Sequence, residues 1–142
     1  MNKLFVYGTL KSDRIQEALF GEKQKKYEAI LNNYSVYEAE DGWYFIKEKI
    51  GSNIKGYVIE LDDRNLEICD AFEYCPSMYK RERTTVSIEN EDVEVFVYNR
   101  VDIINNYKEV LDFDTYSKFS EDEVINTEIK EFKEKEHPEF YN

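Results

Sequence analysis

The chain has 142 residues and a formal net charge of −12, with 42% hydrophobic and 15% aromatic residues. That length suits a single domain over 1–142, and twelve Tyr and nine Phe supply enough apolar surface to exclude a disordered chain. The acidic balance, with no basic stripe, argues against nucleic acid as a direct partner and against an anionic membrane surface.

The apolar run Leu4–Tyr7 is too short for a secretory leader, and no stretch approaches membrane-spanning length, so a cytoplasmic protein is expected. Cys69 and Cys75 stand at no zinc or redox spacing and read as ordinary thiols of a reducing compartment. The single His, His137, lies in the charged tail. A His-rich metal site is therefore excluded, and a Ser-His or Cys-His nucleophile would need that tail to fold back. Proton transfer falls instead to a carboxylate, Lys or Tyr.

Taken in chain order, Lys3–Tyr7 reads as a buried strand ending at Gly8. Thr9–Ser12 reads as a loop, and a short helix is expected over Asp13–Phe20. There Asp13 and Gln16 approximate a capping box and Gly21 is the stop. Strands are expected at Tyr27–Glu38, Trp43–Ile50 and Ile54–Leu61, with turns at Asp41-Gly42 and Gly51-Ser52-Asn53. Gly56 inside the last marks a bulge or a close backbone approach. Asp62–Phe72 reads as a helix capped by Asp62 or Asp63 and stopped by Cys75-Pro76. Strands Tyr79–Ile88 and Val93–Tyr98 follow, joined by the polar turn Glu89–Asp92. After an unpatterned stretch, Ser120 opens a capping box, and Ile125, Ile129 and Phe132 give Glu121–Lys135 an apolar stripe. Hairpins interrupted by helices, without a repeated βαβ unit, point to an α+β domain in which a small mixed β-barrel carries flanking helices and a C-terminal amphipathic helix.

Two places carry chemical content. Leu66, Cys69 and Glu73 fall at i, i+3 and i+7, which aligns a carboxylate with the apolar stripe of its helix. An inward carboxylate without a partner has its pKa raised from about 4.3 towards neutrality, where it can trade protons. The alternative is a frayed last turn, with Glu73 in solvent or paired with Lys80 or Arg81. At Tyr7-Gly8-Thr9-Leu10, Gly permits a sharp turn or a close ligand, and a helix start follows, so the amides there form either an anion cradle or a plain connection.

Phe5-Val6-Tyr7-Gly8-Thr9-Leu10 resembles the opening signature of the γ-glutamyl cyclotransferase-like family, which includes γ-glutamylamine cyclotransferases and avirulence-induced-gene-like proteins. The resemblance continues through Gly56–Leu61, Cys69-Asp70-Ala71-Phe72-Glu73, Pro76–Arg81, Thr84–Ile88 and Val95–Tyr98. It keeps the family's order and spacing over a core of about residues 1–100. It implies a mixed barrel with helices and an enzyme that cyclises a γ-glutamyl amine or amino acid to 5-oxoproline, releasing the free amine. It also implies that Glu73 stands at the catalytic Glu, Tyr7, Gly8, Thr9 and Leu10 at the substrate-binding loop, and Tyr79 at a Tyr beside the pocket. The substrate brings its own nucleophile and electrophile, so no metal and no cofactor is implied. The partner is a small γ-glutamyl compound and the protein a monomer or homodimer. Three positions depart from the pattern: Cys69 replaces a Leu, Tyr74 replaces the Gly that often follows the catalytic Glu, and Gly42–Phe45 lacks a Pro. Two other readings use the same residues: a non-catalytic module that binds a small carboxylate, and an interaction protein acting through its acidic C-terminal helix.

Overall fold

The computed structural model describes all 142 residues. Strand β1 (Asn2–Val6) leads through a 3-10 turn (Thr9–Lys11) into helix α1 (Asp13–Phe20). A long hairpin follows, β2 (Lys26–Ala39) and β3 (Tyr44–Leu61), and then helix α2 (Asp63–Phe72). A second hairpin joins β4 (Tyr79–Ile88) to β5 (Glu91–Arg100) through Glu89 and Asn90, both at positive φ, and the short β6 (Tyr107–Val110) follows. Helix α3 (Glu121–Val124) continues through wider turns over Ile125–Ile129 and Phe132–Glu136. No helix is long and apolar enough to cross a membrane.

The strands form one six-stranded sheet in the order β3-β1-β5-β4-β2-β6, and β2 also pairs with β3, so the first five close into a ring. Strand β1 sits between β3, antiparallel, and β5, parallel. Its alternation divides the core. Leu4 and Val6 pack with the helices, whereas Phe5 and Tyr7 pack with the residues inside the ring. The expected α+β class with flanking helices is the observed one.

Several local expectations change. Helix α1 is capped by Ser12, not Asp13: Ser12 is extended and its side chain accepts from the Ile15 amide. The two strands expected over Trp43–Leu61 are one. The turn residues are taken up as an excursion against β2, between the pairs Asn32–Asn53 and Tyr34–Glu48. Asn33 (φ 65°) and Gly51 (φ 92°) supply the left-handed backbone it needs, and Asn33 Oδ1 accepts from the Gly51 amide at 3.0 Å. Gly56 marks a close approach: a Cβ there would lie 2.5 Å from the Val6 carbonyl and 2.9 Å from the Phe5 ring.

The C-terminal helix keeps its Ser120–Glu123 capping box, but its buried stripe is Val124, Ile129 and Phe132, with Ile125 half-buried. An i, i+5 spacing between Val124 and Ile129 is what a π-helical turn produces. All three side chains belong to the same cluster as Ile15, Leu19 and Ile68, so the helix is part of the main core.

Candidate functional site

Strand β1 delivers Tyr7 and Gly8 into the turn that starts at Thr9. The amides of Tyr7 and Gly8 donate to no carbonyl or side chain of the protein. Two unsatisfied N–H groups on consecutive residues are donors available to an anionic or carbonyl oxygen of a ligand. The turn is braced from behind. Gln16, fully buried, donates from Nε2 to the Leu10 carbonyl at 2.7 Å and accepts from the Gln24 amide at 2.9 Å. Lys11, also buried, donates to the Phe113 carbonyl at 2.5 Å, and burial lowers its pKa to about 8 against the opposing pull of Asp114 and Asp112. Neither bracing role carries a sequence signal, because Lys11 reads as a loop charge and Gln16 as a helix-capping residue.

Glu73 is the C-cap of α2, and the helix ends in a Schellman motif. Tyr74 takes the left-handed position (φ 53°), its amide donates to the Ala71 carbonyl, and the Cys75 amide donates to that of Asp70. The stop thus falls ahead of Cys75-Pro76 and holds Glu73 in a defined place. Leu66 and Cys69, in line with it, are buried. Glu73 itself is half-buried, and its carboxylate has neither a hydrogen bond nor an ion pair. Arg81, the expected competitor, faces Asp70 at 3.6 Å and stacks on Phe96. Lost hydration alone raises the Glu73 pKa to about 7. The negative end of helix α2 acts in the same direction.

Three phenols stand close enough for the Glu73 charge to raise their pKa values beyond what burial does. None donates to it. Tyr7 donates to the Tyr98 carbonyl at 2.5 Å, Tyr79 to the Tyr44 carbonyl at 2.7 Å, and Tyr98 to Asp70 at 2.5 Å. With these donors committed, the Glu73 carboxylate is left for whatever enters.

What enters does so through a cavity of about 90 Å³. Tyr7, Gly8, Thr9, Leu10, Glu73 and Tyr79, the six positions singled out from sequence, all line it. Trp43, Phe72, Tyr74 and Met78 give it apolar walls, and Glu128 of the C-terminal helix adds a second carboxylate. No Lys or Arg lines it, and no group of three or more His, Cys, Asp or Glu could hold a metal ion. Glu128 carries no sequence signal: it is an exposed residue of the charged helix, and only the docking of that helix brings it to the cavity.

Residues 4–117 match the sequence profile of the family described as "Gamma-glutamyl cyclotransferase, AIG2-like". The chain belongs to that family. It is 44% identical over 50 residues to a bovine gamma-glutamylaminecyclotransferase, a match covering 34% of this chain and 30% of that protein. It is 34% identical over 101 residues to a Methanocaldococcus jannaschii protein named as a gamma-glutamylcyclotransferase and putative RNase, a match covering 68% of this chain and 45% of that one. These matches span less than half the length of either relative. Its fold is that of a solution structure from Arabidopsis thaliana, at TM-score 0.64 and 19% identity, covering 94% of this chain and 86% of that one. Within this gamma-glutamyl cyclotransferase-like chain, Glu128 lies beyond the residues that the family profile matches.

Proposed function

We propose that the protein is a γ-glutamyl cyclotransferase that converts a γ-glutamyl amine or amino acid to 5-oxoproline and the free amine, with Glu73 as general base and then general acid. The observation that carries this reading is the unpaired Glu73 carboxylate, with a pKa of about 7, on the same cavity as the unpaired amides of Tyr7 and Gly8.

The substrate's α-ammonium meets Glu73 and gives it a proton. The freed amine attacks the γ-carbonyl carbon, a five-membered ring closes, and the carbonyl oxygen takes the negative charge. The Tyr7 and Gly8 amides are suited to bind that oxygen or the α-carboxylate. Glu73 then returns the proton to the departing nitrogen as the C–N bond breaks, and the second proton that the ring nitrogen sheds passes through the same carboxylate to the released amine, leaving 5-oxoproline, an ammonium ion and an ionised Glu73. No atom of the protein is consumed. A carboxyl with a pKa near 7 can both take and give the proton at neutral pH, which contributes about 10²–10⁴ in rate. Holding the substrate bent for ring closure contributes several further kcal/mol.

The test is 5-oxoproline release, followed by mass spectrometry over a panel of γ-glutamyl amines, amino acids and peptides. Glu73→Gln lowers the rate at least about 10²-fold while circular dichroism stays that of the parent. Undiminished turnover in that variant overturns the assignment.

A further inference from the structure

The cavity carries a second carboxylate that this chemistry does not use. Glu128 lines it together with Trp43, Phe72, Tyr74 and Met78, and makes no hydrogen bond or ion pair. Lys133 donates to the Ala18 carbonyl and Lys135 faces Glu131, so neither pairs with Glu128. The surroundings of Glu128 are acidic as well. Tyr74 donates to Glu136, and partial loss of hydration, followed by the charges of Glu131 and Glu136, raises the Glu128 pKa. The other carboxylate of the cavity, Glu73, is equally unpartnered, and no cationic side chain offsets either one.

These features set a polarity for the ligand. Its anionic end belongs on the free amides of Tyr7 and Gly8, and its reacting centre beside Glu73. The leaving group then runs along apolar and aromatic walls to a bare carboxylate. A chain of methylenes ending in an ammonium satisfies those walls and that charge, and aromatic faces add to the attraction for the cation. An amino-acid leaving group would instead bring its own carboxylate towards Glu128 and be repelled. The net charge of −12 draws cations to the same mouth.

Resting on the cyclotransferase reading, we propose that Glu128 determines substrate choice by binding the distal ammonium of the leaving group, so that the substrate class is the mono-γ-glutamyl amide of an alkyl diamine. Glu128 touches no reacting atom in this scheme and acts on affinity.

The test compares the γ-glutamyl amides of diaminobutane and of pentylamine, which differ only in the terminal ammonium or methyl group. With the full chain, kcat/KM favours the diamine amide about tenfold or more, the difference lies in KM, and it shrinks as salt is added. In Glu128→Gln the preference falls to within about threefold, and Glu128→Asp restores part of it. Equal kcat/KM for the two amides in the parent, or a preference that Glu128→Gln leaves intact, overturns the proposal. Should neither amide yield 5-oxoproline while another member of the γ-glutamyl panel does, the substrate-class proposal is overturned and the cyclotransferase reading stands; should no member of the panel do so, the cyclotransferase reading fails by itself, and calorimetry with the same amides still decides the role of Glu128. Tighter binding of the diamine amide that is lost in Glu128→Gln supports the cation subsite, and equal affinities overturn it.

Discussion

Glu73 and Tyr74 divide the end of helix α2 between them: the first caps the helix with an unpaired carboxylate on the cavity, and the second turns the chain away in the left-handed conformation. A non-glycine residue in that conformation costs about 1–2 kcal/mol. Tyr74 is tied by its hydroxyl to Glu136, so the same residue that closes α2 also holds the C-terminal helix at the cavity mouth.

The Glu73 pKa of about 7 fixes the pH dependence of the proposed reaction. The base must be ionised to accept the α-ammonium proton, so kcat/KM rises with pH along a limb centred near 7. A rate measured from pH 5 to pH 9 that is flat through 7 contradicts this role for Glu73.

The same carboxyl affects stability with a definite sign. Its pKa is about 7 in the fold and about 4.5 when unfolded, so between those values the native state binds more protons than the unfolded one. Stability therefore declines as pH rises from about 4.5 to 7 and is level above. Glu73→Gln removes the penalty. The variant matches the parent near pH 4 and exceeds it by on the order of 1–3 kcal/mol at pH 8, as read from urea midpoints at each pH.

Gly56→Ala places a methyl 2.5 Å from the Val6 carbonyl, where backbone must move. We expect a loss of about 1–3 kcal/mol in urea unfolding. Turnover also drops, because Val6 is the last residue of β1 before the Tyr7–Gly8 amides. A stable, fully active Gly56→Ala would show that β1 tolerates displacement.

Phe132 is 1% exposed and meets Phe72 edge-to-face at 5.4 Å, next to Glu73. Phe132→Ala is expected to cost about 3–5 kcal/mol. Deleting residues 118–142 is expected to expose the Ile15, Leu19 and Ile68 cluster and to destabilise the whole chain, as thermal unfolding would show. A truncated chain with the parent's Tm would mean that the helix is dispensable to the core.

The legible parts of the sequence were those where local chemistry and tertiary packing agree. Helix α1 and strand β4 fall on their expected residues, because Gly21 and the β-branched run Thr84–Val86 each leave one solution. The Leu66–Cys69–Glu73 line was equally readable, since helical spacing alone orients it. Gly51-Ser52-Asn53 misled because a local turn signal can be accommodated as a bulge when the partner strand supplies a matching left-handed residue, here Asn33. That Glu73 is unpaired could not be read either. It depends on Arg81 being held by Asp70 and on three phenols donating elsewhere, all contacts between residues distant in sequence. Glu128 could not be read because it is an exposed helix residue whose place on the cavity follows only from how the C-terminal helix docks.

The ring of strands is not equally sealed all round. Strands β2 and β3 share twelve register pairs and β4 and β5 share ten, but β2 and β4 are paired only at Ile30 and Ser87. Within the ring, thermal breathing is expected to begin at that seam, read as faster amide exchange there than along the β2–β3 or β4–β5 ladders. In ring order the seam lies opposite β1, which pairs with β3 at five positions and with β5 at two. Parting of the two hairpins at Ile30 and Ser87 leaves the Tyr7–Gly8 amides aligned with Glu73 as long as the two pairs between β1 and β5 hold, so those two pairs are what separates the open seam from the chemistry.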